Sequence, residues 1–231
     1  MHIEPAHLVA NLIGYGLLAG TCYLLAVESD HRSFFVIAFS GIVLSFPLTL
    51  SALNLATPRN GILYGFSGVN MALLGLLPLC LVEFARVRFW IGFERRDGGM
   101  LFFLSLAAIA MLAVPLSLMT SALSLSAVVI SGWYVHDLTD RGFRLAGFLR
   151  LVLERRHDGN QFVLGSVLFV SYLFVGFPTD IVTDGSVLNL YVHFLGYSMG
   201  FVGSYVLLEA QVFGPPAPAE ARDSQLETRS R

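Results

Sequence analysis

Seven blocks of continuous apolar residues, each about as long as a bilayer core is thick, leave this chain few ways to fold. A hydrocarbon core of about 30 Å needs roughly 20 helical residues. The blocks fall at about 7–27, 33–56, 61–85, 100–119, 121–138, 161–178 and 188–211. Backbone N–H and C=O groups find no water in lipid, so a spanning chain is either helical or a closed barrel. Continuous rather than alternating runs select helices. The expected fold is therefore all-α, a polytopic membrane helix bundle of about seven transmembrane helices. A hydrophobic share of 55%, with 13% charged residues and a mean hydropathy of +0.71, excludes a soluble domain. No early signal peptide with a basic start and a small-residue cleavage site is visible, so the first helix is expected to stay.

The loops set orientation. All 14 basic residues are arginine, a hint of a GC-rich prokaryotic genome. Arg86, Arg88, Arg95 and Arg96 lie between the third and fourth blocks; Arg141, Arg144, Arg150, Arg155 and Arg156 lie between the fifth and sixth. Threading seven spans alternately brings Arg32 and the tail residues Arg222, Arg229 and Arg231 to the same side and leaves Arg59 opposite. The positive-inside rule then makes the C-terminus cytoplasmic and the N-terminus external in a plasma membrane.

A net charge of −2 argues against a nucleic-acid partner, and the lipid bilayer is the partner implied. Between Arg141 and Arg156, the apolar Leu145, Phe148, Leu149 and Val152 share one helical face, as in a short helix lying in the inner headgroup layer. The organisation expected is one transmembrane domain over 1–212 and a disordered cytoplasmic tail over 213–231, which begins Gly214-Pro215-Pro216. Cys22 and Cys80 read as buried free thiols.

Two polar residues stand at membrane depth without helping a helix enter lipid. Ser67 lies in Gly65-Phe66-Ser67-Gly68 near the start of the third block, and His193 near the start of the seventh. At 1.5 Å per residue they sit roughly 9 Å and 7 Å below the outer surface. Small residues line both helices: Gly68, Ala72 and Gly75 on one, Gly196, Gly200 and Gly203 on the other. Such stripes let backbones approach closely in lipid. His7 and Asn11, four apart on one face of the first block, have side chains able to donate to a developing oxyanion. Taken separately, the stripes read first as a packing seam and His7 as an interfacial residue.

His7-x-x-x-Asn11, Gly65-x-Ser67-Gly68 and His193-x-x-Gly196-x-x-x-Gly200, in that order on three descending helices, resemble the rhomboid family of intramembrane serine proteases. The likeness covers residues 1–85 and 161–211. It implies a rhomboid-like fold and a catalytic Ser67–His193 dyad with no third acid. It also implies an oxyanion site made of His7, Asn11 and the Ser67 N–H, and no cofactor. The substrate implied is a transmembrane segment of another protein, cut near its outer end. The 178–188 loop, with Asp180, Asp184 and Gly185, corresponds to the family's mobile cap.

The family places His-x-x-x-Asn on its second helix and one helix between serine and histidine. Here the element is on the first helix and three helices intervene, so the expectation is a missing first core helix and a two-helix insertion over 100–138. Met71 stands where the family usually has a tyrosine stacked on the histidine. The alternative to an active enzyme is a rhomboid pseudoprotease that binds transmembrane segments without cutting them.

Other membrane chemistries lack their residues. There is no His-Glu-x-x-His zinc motif and no metal site is expected. No buried aspartate pair exists for an aspartyl protease, and Glu83 and Glu209 at inner helix ends are expected to reach water. That scarcity also argues against a proton-coupled transporter. His31, His136 and His157 read as solvated surface residues. Pro47, Pro78 and Pro115 are expected to kink their spans.

Overall fold

The apolar blocks become helices close to where the sequence puts them. The computed structural model describes residues 5–56, 66–89, 92–178, 182–183, 186–187 and 190–210. Among these, the helices are α1 (Pro5–Glu28), α2 (Arg32–Ala56), α3 (Ser67–Phe89), α4 (Gly98–Ala113), α5 (Leu118–Asp140), α6 (Leu145–Glu154), α7 (Arg156–Gly176) and α8 (Leu190–Glu209). All but α6 are long and apolar enough to cross a membrane, α4 when counted with the short helical turn from Arg95 that leads into it, so this is a helical, multi-pass membrane protein. Before α8, Val182–Thr183 pairs antiparallel with Ser186–Val187 in a two-residue ladder. Gly65, Asp180, Asp184, Gly185 and the 213–231 tail lie outside the described residues.

Helix α3 is the axle of the bundle. Every residue from Gly68 to Ala85 is buried, against α8, α1, α7, α2 and α4. The other spanning helices keep apolar faces open, with Leu8, Leu44, Leu118 and Val175 among the exposed residues, as lipid-facing surfaces require. The α4–α5 pair forms an antiparallel hairpin. It turns where Pro115 cannot continue a helix, and Ser117 caps α5 by accepting from the Thr120 N–H at 3.1 Å. Pro115 thus ends a helix where a kink was expected, whereas Pro47 and Pro78 lie inside α2 and α3. Hydroxyls tie the hairpin: Ser124 donates to the Ala107 carbonyl at 2.8 Å and Ser131 to that of Met100 at 3.0 Å. Helix α4 docks on α8 through Phe102, stacked on Phe201 at 4.0 Å, and through Ser105, whose hydroxyl meets that of Tyr197 at 2.5 Å.

The arginine-rich end is an ion-pair network. Glu83, only 1% exposed, meets Arg86 at 2.6 Å, His31 at 3.2 Å and Arg95 at 3.6 Å. This corrects two expectations: Glu83 does not reach water, and His31 is a paired residue between α1 and α2. An isolated carboxylate cannot be buried cheaply, so the chain folds its cations around it. Arg88 joins Glu28 and Asp158, and Arg141 joins Asp97 and Asp137. Helix α6 forms as expected, but its apolar residues divide. Phe148 and Val152 are buried, Phe148 among Phe89, Phe93 and Phe162, while Leu145 and Leu149 stay exposed. Cys22 and Cys80 are free and buried.

Candidate active site at the head of the α3–α8 seam

Helices α3 and α8 meet backbone to backbone. A β-carbon at Gly196 would stand 2.5 Å from the Gly68 carbonyl oxygen. One at Gly200 would stand 2.6 Å from the Ala72 Cα, and one at Gly75 would stand 2.7 Å from the Phe201 nitrogen. Only residues without side chains there permit this approach. Gly203 does not belong to the seam, because among the described residues nothing lies within 4 Å of a β-carbon there. The stripe ends one turn earlier than its spacing implied, with Gly200 its last member on α8.

Gly68 faces Gly196 and Ala72 faces Gly200, so the two helices run parallel in constant register. Ser67 precedes Gly68 by one residue and His193 precedes Gly196 by three. The serine and histidine therefore head the seam within about 3 Å of the same height. Ser67 is half-buried at the first residue of α3, and Val69 and Asn70 donate to the Phe66 carbonyl as the helix begins. The sequence placed Ser67 six residues inside its span; it stands instead where α3 starts, at the positive end of the helix dipole.

His193 is 5% exposed. Its Nδ1 lies 2.7 Å from the Gly176 carbonyl at the end of α7, and the Phe177 ring meets it edge-on at 6.3 Å. A carbonyl only accepts, so Nδ1 carries the proton and Nε2 of the neutral ring keeps its lone pair. Among the described residues no hydrogen bond joins Ser67 to His193. Met71 lies one turn into α3, its sulfur 2.5 Å from where a β-carbon of Gly176 would be and its Cβ 3.2 Å from one at Gly196. The thioether thus fills the space beside the residue that holds the imidazole.

The first helix contributes from the other side. Asn11 is half-buried and His7 exposed. Two residues that sequence reasoning passed over join this region. Asn70, fully buried, donates to the Asn11 carbonyl at 2.9 Å and to the Tyr172 hydroxyl at 3.1 Å. The Tyr172 hydroxyl nests against Gly14, where a β-carbon would collide with it. An amide inside an otherwise apolar run was a readable signal for Asn70; nothing in the sequence singled out Tyr172. No group of His, Cys, Asp and Glu suited to a metal ion occurs among the described residues.

Comparisons of this chain with protein-family models, curated proteins and solved structures return no match.

Proposed function

We propose that this chain is an intramembrane serine endopeptidase of rhomboid-like architecture, cutting transmembrane segments of other proteins with a Ser67–His193 dyad. The observation that carries the reading is the contact of His193 Nδ1 with the Gly176 carbonyl. With Nδ1 committed to the Gly176 carbonyl, Nε2 is the ring's one proton acceptor, on a helix packed directly against the one that begins at Ser67.

In this reading the Ser67 Oγ attacks the scissile carbonyl carbon while His193 Nε2 takes the hydroxyl proton. The tetrahedral oxyanion is held by the Ser67 N–H at the head of α3, by Asn11 and by His7; such donors are each worth about 3 kcal/mol. Collapse breaks the C–N bond, and His193 returns its proton to the leaving amine. A water then attacks the acyl-serine carbonyl and gives a proton to Nε2; collapse breaks the ester C–O bond, Nε2 returns that proton to the Ser67 Oγ, and the carboxylic product leaves. The α4–α5 hairpin, docked on α8 through Phe102 and Ser105, is the insertion between the serine and histidine helices. The external N-terminus and cytoplasmic C-terminus follow from the arginine distribution.

The second reading, a pseudoprotease, is favoured by Met71 in place of an aromatic ring and by the missing Ser67–His193 hydrogen bond. A fluorophosphonate probe on the purified protein in lipid tests the first reading. Ser67 is expected to label, and Ser67→Ala or His193→Ala to abolish labelling. Labelling that survives Ser67→Ala removes the nucleophile. Cleavage of a helical membrane reporter separates the enzyme from a protein that only binds.

A further inference from the structure

The geometry points to Asn70 as a positioning residue of the site, holding Asn11 at its working height by a hydrogen bond to that residue's backbone carbonyl. The inference rests on the proposed function and names a residue that the resemblance does not.

Three observations support it. Asn70 is 0% exposed within the helix that is buried all round, and it lies one turn from Ser67 on α3. Both amide hydrogens are spent on other helices: one on Asn11 O in α1, one on Tyr172 Oη in α7. Its Oδ1 is buried with no hydrogen-bond partner among the described residues. A leucine would fill similar space and bury no polar atom of its own, so as packing the amide is the worse choice. What leucine lacks is the pair of donors.

The contact matters because of where Asn11 sits. Its carbonyl already serves the α1 backbone ladder and has a second lone pair for Asn70. A bond to the main chain at position 11 fixes the height and rotation of α1 beside α3. The same residue's side chain is the proposed oxyanion donor. Helices in lipid gain little from hydrophobic association, so a polar bond between them sets register more than it would in water. The Tyr172 bond ties α7 to the same amide, and the end of α7 carries the Gly176 carbonyl that orients His193. The Asn11 arm is the one the inference depends on.

The test is the rate of fluorophosphonate labelling in full-length protein in lipid nanodiscs. Asn70→Leu is expected to lower the maximal labelling rate at least tenfold, while the probe concentration giving half that rate changes less than twofold. Asn11→Ala added to Asn70→Leu is expected to cost less than threefold more, although Asn11→Ala alone costs at least tenfold. Tyr172→Phe, which spares the Asn11 bond, is expected to cost less than threefold. Asn70→Ala repeats the measurement should the leucine variant fail to fold.

Independent, multiplying losses at positions 70 and 11 overturn the inference, because a merely structural role predicts them. An unchanged rate in Asn70→Leu overturns it while leaving the protease standing. A wild type that does not label overturns the proposed function, and with it the site that Asn70 would position.

Discussion

Substituting Gly200→Ala adds one carbon at the tightest point of the α3–α8 seam. That carbon would lie 2.6 Å from the Ala72 Cα and 2.7 Å from its carbonyl carbon, where ordinary contact begins near 3.4 Å. The obstacle is backbone, with no rotamer to turn aside, so the helices must separate by about 1 Å. A gap of that size forfeits a quarter to a half of each dispersion contact it opens. Overpacking costs about 1–3 kcal/mol, and a backbone obstacle places this case near 3 kcal/mol. The same separation shifts His193 relative to Ser67, and a 1 Å misplacement costs about 100-fold in rate. Reversible unfolding in mixed micelles measures the first effect and fluorophosphonate labelling the second. Gly203→Ala is the control, with nothing among the described residues within 4 Å of its β-carbon, and is expected to change unfolding by no more than about 0.5 kcal/mol. If the two alanine variants unfold alike, the seam does not hold the bundle together.

At the opposite end of α3, Glu83→Ala is expected to destabilise by about 3 kcal/mol, since it leaves Arg86 and His31 without the buried carboxylate they share. Glu154→Ala, which breaks only the exposed Arg150–Glu154 pair on α6, is expected to leave the same unfolding measurement unchanged. Tyr197→Phe is expected to cost about 1 kcal/mol in unfolding, because Ser105 keeps its bond to the Phe102 carbonyl when the tyrosine hydroxyl goes.

What the sequence made legible divides along a physical line. Helices longer than a bilayer is thick announce themselves through composition, and all seven spans stand near their expected positions. Small-residue stripes gave the seam at Gly68, Ala72, Gly75, Gly196 and Gly200, because close backbone approach needs the absence of a side chain, and an absence is visible in sequence. Gly203 shows the limit, since spacing cannot tell a seam glycine from one facing open space. Polar contacts between helices stayed hidden. Glu83 was read from its place near a helix end, and its burial depends on His31 and Arg95, which arrive from other segments. Asn70 and Tyr172 stand 102 residues apart, and no local pattern links an amide to a hydroxyl at that range.

Helix α3 shows how these parts serve one another. Its middle is packed with leucine and has no polar side chain from Met71 through Val82 except the Cys80 thiol. Polar anchors stand at its two ends: Asn70 bonded to α1 and α7 near Ser67, and Glu83 paired with His31, Arg86 and Arg95 near the arginines. An apolar helix between apolar neighbours in lipid is free to slide or turn, because leucine packs on leucine in many registers. Anchors at both ends remove that freedom, each with partners that exist only in one register. The backbone contacts with α8 then fix the remaining distance, the one between the serine and histidine helices. A chemistry that needs two side chains placed to within a fraction of an ångström would require a helix constrained in this way.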